Sequence, residues 1–253
     1  MKVYLAASCA GVNATDRKKV IKSNPPLFLL ETFYSGAKTC LQVLNDVGRE
    51  HFLMDSGAFT FVHSKKNITS RELDLFVDRQ ISFINDYNVK NFFEMDVDQT
   101  LGYDKVIQLR KKIETKTQKQ VIPVWHTNRG VQSFKDLCKE YKYIAIGGMV
   151  VGKNLTISQI FKLVTYAKER GVKVHGLGFT QFKYINQIPW YSVDSCTWSK
   201  VAVWGGKVCF FNGHTIINRS VNKNGYKLNL SKLCAHNLNE WIKYQKYMYQ
   251  RRY

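Results

Sequence analysis

Residues 52–59, FLMDSGAF, pass from three apolar side chains into an aspartate and then into a turn of small residues. A similar arrangement recurs in residues 92–98, FFEMDVD, and in residues 190–196, WYSVDSC. Apolar runs of this length are typical of strands that are buried on both faces of a parallel sheet. Each aspartate therefore follows the C-terminal end of a buried strand, which is where barrels of parallel strands carry their active sites.

Segments with strand and helix patterns alternate along most of the chain. Their rhythm predicts an α/β fold with a parallel sheet, and a length of 253 residues matches a (β/α)8 TIM-type barrel. No linker, repeat or low-complexity tract interrupts the pattern, so we predict a single barrel domain over residues 1–253. The basic, tyrosine-rich segment at about 233–253 is predicted to be a helix that packs on it. The predicted strands are 3–7, 52–54, 91–96, 121–125, 143–146, 172–174 and 191–193, and the main predicted helices are 70–87, 131–141 and 157–170.

The chain is strongly basic. It has 38 Lys and Arg residues against 19 Asp and Glu residues, which gives a net charge of +19. A field of this sign attracts polyanions, so we predict a nucleic-acid partner. Residues 243–253 alternate cations with aromatic side chains, as surfaces that stack bases do, although a helix that buries its tyrosines would have the same pattern. A basic surface without any partner is the alternative.

Cysteine usage and hydropathy limit the other partners. No apolar run approaches the ~18 residues that cross a membrane, so we expect no membrane partner. The six cysteines include no C-x-x-C pair, which favours a reducing compartment and a cytoplasmic protein. The Cys209–His214 and Cys234–His236 spacings match no common zinc pattern. We therefore expect no cofactor, with zinc at these side chains as the alternative.

The aspartates at the strand ends are the candidates for chemistry. Asp55 and Asp194 are predicted to be catalytic, because one carboxylate can attack a sugar anomeric carbon while a second moves a proton. A helix N-cap is the alternative role for either residue. Asp96 and Asp98 are predicted to bind substrate by accepting hydrogen bonds from a purine, or a divalent metal through oxygen. Glu94 is expected to lie deeper on the same side of the strand as Asp96.

Glycine and histidine residues follow three further strands. Gly147-Gly148 and Gly176 would let the backbone approach a flat ligand closely, although simple turns use the same residues. His126 and His175 also fall at strand ends, as site residues or as hydrogen-bonded loop residues.

Short motifs, in the same order along the chain, resemble those of the tRNA-guanine transglycosylases. DSGAF at 55–59 resembles the family's D-S-G-G-[FY] segment, and Asp96 lies where the family has its base-recognising aspartate. IGGMVVG at 146–152 is similar to the G-G-x-x-x-G stretch, and HGLG at 175–178 is similar to the x-G-x-G segment. SVDS at 192–195 occupies the position of the nucleophilic aspartate. The resemblance runs from Val3 to about Gly205.

The residues of these motifs are closer to those of the DpdA family, relatives that place 7-deazaguanines into DNA. The shared elements are D-S-G-A-F, D-V-D, I-G-G, H-G-L-G and V-D-S-x-x-W, the last ending at Trp198. Two features depart from the tRNA enzymes: the chain lacks their C-terminal C-x-C-x2-C…H zinc site, and residues 125–127 replace their glutamine-glycine loop. Both departures make tRNA the less expected acceptor.

The resemblance implies a base exchange that needs no cofactor. Asp194 would attack C1′ of a deoxyguanosine. Asp55 would donate a proton to the leaving base and remove one from the incoming base, and Asp96 with Gly147-Gly148 would hold the purine. The implied partners are DNA and a 7-deazaguanine base such as preQ0. The alternatives are a tRNA-guanine transglycosylase-like enzyme acting on RNA, a non-catalytic nucleic-acid-binding subunit, and a glycoside hydrolase or metal-dependent phosphodiesterase. The predicted substrate-binding residues are Ser56, Gly57, Asp96, Asp98, His126, Gly147, Gly148, His175 and Gly176.

Overall fold

Eight parallel strands form a closed barrel in the computed structural model, which describes residues 1–63, 69–148, 155–221 and 229–251. Each strand pairs with its neighbours in the sequence, and the first pairs with the eighth. The predicted (β/α)8 TIM-type barrel is therefore confirmed. The strands are β1 (Lys2–Ala6), β2 (Leu29–Thr32), β3 (Phe52–Asp55), β4 (residues 92–93), β5 (Val124–Trp125), β6 (Tyr143–Ile146), β7 (Lys173–Gly176) and β8 (Ser192–Ser195).

Strand β4 closes the ring with only two residues. The Phe93 N–H donates to the Met54 carbonyl at 3.0 Å, and the Glu94 N–H donates to the Ile122 carbonyl at 3.1 Å. The sequence predicts a longer strand over 91–96. The ladder ends early because the chain turns directly after Glu94, which frees the following residues to form the loop above the barrel.

Helices surround the barrel. The helix predicted over 70–87 begins where expected, because the Thr69 side chain accepts the Glu72 N–H while the Glu72 carboxylate accepts the Thr69 N–H. Between β7 and β8 the connection holds only a four-residue helix. The helices are α1 (Ala14–Ser23), α2 (Ala37–Val47), α3 (Ala58–His63), α4 (Ser70–Asp86), α5 (Asp98–Leu101), α6 (Tyr103–Thr117), α7 (Gly130–Glu140), α8 (Ile157–Lys168), α9 (Phe182–Ile185), α10 (Thr197–Val203) and α11 (Leu230–Gln250).

Alternate side chains along the strands divide the apolar residues into two clusters. The larger cluster lies between the strands and the helices. The smaller one fills the barrel interior with side chains such as Tyr4 and Leu53. Leu30, Phe93 and Val124 belong to this inner cluster and also line the cavity at the carboxyl ends of the strands. The interior is therefore packed towards the amino ends of the strands and open at their carboxyl ends.

The C-terminal helix α11 is tied to the amino ends of the first strands. The Gln245 amide donates to the carbonyls of Val3 and Phe28, and its oxygen accepts the Leu27 N–H, all at 2.6 Å. A hairpin of β9 (Lys207–Phe211) and β10 (Ile216–Ser220) lies outside the barrel and packs on α10 and α11. Among the described residues, no helix is both long enough and apolar enough to cross a membrane.

Candidate active site

A cavity of about 480 Å³ opens at the carboxyl ends of the barrel strands. Four aspartates line it: Asp55 ends β3, Asp96 and Asp98 follow β4, and Asp194 lies in β8. The strands run parallel, so their ends meet at one rim and side chains from distant parts of the sequence share one cavity. The charges of Asp96 and Asp194 help to raise the pKa of Asp55, which makes the cavity suited to proton transfer.

Asp194 is anchored through one oxygen only. Its Oδ1 accepts the Gly178 N–H at 2.6 Å and lies 3.1 Å from His175 Nε2. Among the described residues, Oδ2 has no hydrogen-bond partner, and the side chain is 15% exposed. The carboxylate is thus fixed in orientation while one oxygen is left available for an incoming atom.

A buried chain of hydrogen bonds continues behind Asp194. His175 is fully buried, and its Nδ1 lies 2.7 Å from Ser192 Oγ, which lies 2.6 Å from the Tyr143 hydroxyl. Burial keeps the pKa of Tyr143 well above its usual range, so the phenol retains its proton. Ser192 Oγ and Asp194 Oδ1 thus contact the two ring nitrogens of His175 and fix the orientation of the ring between them. His175 was predicted to bind substrate; the structure places it below the cavity, as the support of Asp194.

Asp55 is the half-buried acid of the site. Burial raises its pKa to about 7, and the negative charges of Asp96 and Asp194 add to the shift. A hydrogen bond from Thr32 and the Gly57 N–H, 3.2 Å from Oδ2, oppose the shift in part. A carboxyl group with this pKa both gives and takes a proton at neutral pH, as a general acid–base requires.

Asp96 and His126 form a pair on the cavity wall at the ends of β4 and β5. Asp96 Oδ2 lies 3.0 Å from His126 Nε2, and both side chains are less than one-fifth exposed. A β-carbon at Gly147 would lie 2.6 Å from the His126 ring and 2.8 Å from Val124. Gly147 therefore leaves room for the histidine, and Gly148, with φ of +74°, lets the chain turn away at the cavity edge.

Asp98 lines the cavity, but its carboxylate is already paired. Its Oδ2 accepts Arg129 Nε at 2.9 Å, and both side chains are almost completely buried. Burial alone would raise the pKa of Asp98, but the hydrogen bond and charge of Arg129 outweigh it and lower the pKa. Asp98 thus lines the cavity, as predicted for a substrate-binding residue, while its pairing with Arg129 anchors the loop after β4.

Glu94 also differs from its expected position. It is fully buried outside the barrel wall, where it accepts Arg110 Nε at 2.6 Å and the Val124 N–H at 2.8 Å. Arg129 approaches its other side at 3.5 Å. Glu94 and Asp96 face different ways because β4 ends at residue 93, so strand alternation no longer governs the positions that follow.

Three further predicted binding residues lie outside the lining of the cavity. Ser56 is buried, and its hydroxyl accepts the Ala58 N–H at 3.3 Å at the start of α3. Gly57 has a φ of +83°, and a β-carbon there would lie 2.9 Å from Tyr34. Gly176 lies beneath other side chains, since its β-carbon would contact Phe179 and Trp190. These three residues support the residues that line the cavity. Residues 149–152 of the glycine motif lie outside the described residues.

Sequence reasoning missed three residues that line the cavity. Glu31 in β2 is buried, and its Oε1 accepts the Ser35 hydroxyl at 2.8 Å. Phe59 is 64% exposed at the rim, and Lys200 of α10 also lines the cavity. A charge within the apolar run at residues 27–33 was the available signal for Glu31.

The Cys and His side chains considered for zinc have other neighbours. Cys209 Sγ donates to Asn218 at 3.3 Å, and His236 Nε2 donates to the Cys209 carbonyl at 3.0 Å. His214 contacts the Tyr247 hydroxyl at 3.2 Å. Within the described part of the chain, no group of three or more His, Cys, Asp or Glu side chains is arranged to hold a metal ion.

Comparison with known proteins identifies the fold alone. No protein-family model matches the chain, and no curated protein sequence is significantly similar to it. A GH10 endoxylanase retrieved from a sugarcane soil metagenome aligns with a TM-score of 0.53 and 10% identity, over 94% of this chain and 96% of the other. A putative fructose-1,6-biphosphate aldolase from Coccidioides immitis has a TM-score of 0.52 and 11% identity, over 97% and 88%. Xylanase 10B from Thermotoga maritima has a TM-score of 0.50 and 10% identity, over 96% of each chain.

Proposed function

We propose that this protein is a transglycosylase that replaces guanine in DNA with a 7-deazaguanine base through a covalent aspartyl-glycosyl intermediate. The observation that carries the proposal is the pair of unlike carboxyl groups in one cavity. Asp194 is anchored through one oxygen with the other available, while Asp55 has a pKa of about 7. A nucleophile beside an acid–base group is the arrangement that a double displacement at an anomeric carbon needs.

In the first displacement, Asp194 Oδ2 attacks C1′ of the target deoxyguanosine. The bond from C1′ to N9 breaks, and protonated Asp55 gives its proton to the departing guanine. In the second displacement, Asp55 takes a proton from the incoming 7-deazaguanine, whose ring nitrogen attacks C1′ and releases Asp194. Asp55 and Asp194 line the same cavity, and the negative charge of Asp194 contributes to the raised pKa of Asp55. Two inversions retain the configuration at C1′.

The base would be held by the wall that carries Asp96. His126 occupies Asp96 Oδ2, which leaves Oδ1 to accept a purine N–H. Gly147 and Gly148 bring backbone to the cavity edge, and the apolar residue Phe93 lies beneath. A volume of about 480 Å³ accommodates a nucleoside, within the range usual for small-molecule sites. The nucleotide must leave the base stack to enter such a cavity.

The direct test is exchange of labelled guanine and of labelled 7-cyano-7-deazaguanine into duplex DNA, single-stranded DNA and bulk tRNA. Asp194→Ala is expected to abolish incorporation while nucleic-acid binding persists. Asp136→Ala is the matched control, because Asp136 is paired with Lys139 on the outer helix α7. Mass spectrometry of the denatured protein should find a covalent adduct with the DNA strand only when Asp194 is present.

The outcomes separate the alternatives. Label that enters only tRNA would keep the chemistry and overturn the DNA acceptor. No label in any polymer, with binding retained, would favour a non-catalytic nucleic-acid-binding subunit. Incorporation that survives Asp194→Ala would remove this residue from the nucleophile role.

A further inference from the structure

An almost fully exposed tryptophan lies one helical turn from the cavity. Trp204, at the end of α10, is 84% exposed, the highest value among the large apolar side chains that the structure describes. The backbone N–H of Trp204 donates to the Lys200 carbonyl at 2.9 Å. The two residues are therefore one helical turn apart on the same face of the helix. Lys200 itself lines the cavity that holds Asp194. An apolar ring and a cation therefore extend from the rim of the candidate active site.

The same part of the chain is basic and free of carboxylates. Residues 195–239 contain five lysines, one arginine and no Asp or Glu. The hairpin β9–β10 follows Trp204 after Gly205-Gly206, and it exposes Phe210 and Ile217 by more than one-third each. The Arg219 guanidinium lies 5.4 Å from the centre of the Phe210 ring. Exposed rings alternating with cations are what single-stranded nucleic acid binds.

We propose that Lys200, Trp204 and the β9–β10 hairpin form a binding surface for a nucleic-acid strand. The base beside the nucleotide that occupies the cavity would stack on the Trp204 indole, and Lys200 would contact the phosphate between the two. The identity of that nucleotide rests on the proposed function. A nucleotide that leaves the stack deprives its neighbour of a stacking partner, and an exposed indole replaces that partner at the same place. The absence of carboxylates over residues 195–239 favours this occupant over a protein partner.

The test measures binding without any exchange chemistry. Fluorescence anisotropy with an end-labelled single-stranded DNA oligonucleotide would compare the full chain with Trp204→Ala, Trp204→Phe and Phe161→Ala. Phe161 is the matched control, an aromatic residue 45% exposed on α8. Trp204→Ala is expected to weaken binding about tenfold, Trp204→Phe less, and Phe161→Ala not at all. Lys200→Ala should reduce the slope of log affinity against log salt by about 0.7.

Two results would overturn the inference. Equal affinity of the parent chain and Trp204→Ala for single-stranded DNA would exclude stacking on the indole. If Trp204→Ala weakened binding to fully paired duplex DNA by the same factor, Trp204 would not act on an unstacked base. Failure of the exchange assay is a separate result, because binding through Trp204 is measured without exchange. Since Trp204 is exposed, the unfolding midpoint of Trp204→Ala should match that of the parent and verify its fold.

Discussion

Asp55→Asn is expected to stabilise the protein at neutral and alkaline pH, and the gain should vanish in acid. The pKa of Asp55 is about 7 in the folded protein, against about 3.9 for an aspartate in an unfolded chain. Between these values the unfolded chain releases the proton while the folded protein keeps it, so raising the pH stabilises the unfolded state. Below pH ~4 both states are protonated and the carboxyl group has no such effect.

The size of the effect follows from the difference in pKa. The difference between the folded-state pKa of about 7 and the unfolded-state pKa of about 3.9 corresponds to ~4 kcal/mol in the free energy of unfolding, as an upper bound. Asp55 is half-buried at an open cavity, and solvent screening reduces the figure to about 2 kcal/mol. Asparagine keeps an oxygen that can accept the Gly57 N–H, so the substitution removes the charge and little else. We therefore expect a gain of about 2 kcal/mol at pH 8.

Urea unfolding of the parent and of Asp55→Asn at several values between pH 4 and pH 8 measures this difference. Asp98→Asn provides a control of opposite sign, because Arg129 holds the pKa of Asp98 low in spite of burial. Across this range that variant should be destabilised by a nearly constant amount, because its deficit shrinks only below about pH 4, where the pH falls towards the lowered folded-state pKa. A stability difference for Asp55→Asn that stays constant from pH 4 to pH 8 would refute the reasoning.

Three further substitutions test the supports of the site. His175→Asn should lower kcat for exchange by roughly a hundredfold with little change in KM, because it removes one anchor of Asp194; an equal loss through KM would contradict this. Glu94→Gln should destabilise the protein by about 3–5 kcal/mol in urea unfolding, because it leaves buried arginine charge uncompensated. Gly147→Ala should weaken binding of 7-cyano-7-deazaguanine in calorimetry by displacing His126, and unchanged affinity would exclude that contact.

The strands that end in small-residue turns could be predicted from the sequence, whereas one strand that does not end in this way could not. Strand β2, Leu29–Thr32, was not predicted, because Glu31 interrupts its apolar run. The Ser35 hydroxyl and the Thr32 N–H satisfy one oxygen of this buried carboxyl group, while its other oxygen has no hydrogen-bond partner among the described residues. Conversely, β4 was predicted too long, since the number of residues that pair depends on the neighbouring strands and not on the apolar run itself.

The site divides in a similar way. Strand ends indicated which aspartates share the cavity, because parallel strands bring their carboxyl ends together whatever lies between them. Their partners could not be predicted. Asp98 pairs with Arg129, 31 residues later, and this contact anchors the loop after β4. His175 was identified, but only the three-dimensional structure places it beneath Asp194. Pattern therefore locates chemical groups, whereas tertiary contacts decide which of them stay available.

The distribution of charge gives the proposed function its physical consistency. The chain carries a net charge of +19, yet five carboxyl groups line the cavity, and Lys200 is the one lysine or arginine among its described lining residues. A basic exterior attracts the phosphate backbone, while an acidic cavity repels phosphate and stabilises the positive charge that develops on a sugar ring. Under the proposed function, the nucleoside would enter the cavity while its phosphates remain at the rim with Lys200. A phosphodiesterase would need cations deep in the cavity, but there Asp98 is already paired with Arg129, and Asp96 with His126. The arrangement favours chemistry at the glycosidic bond.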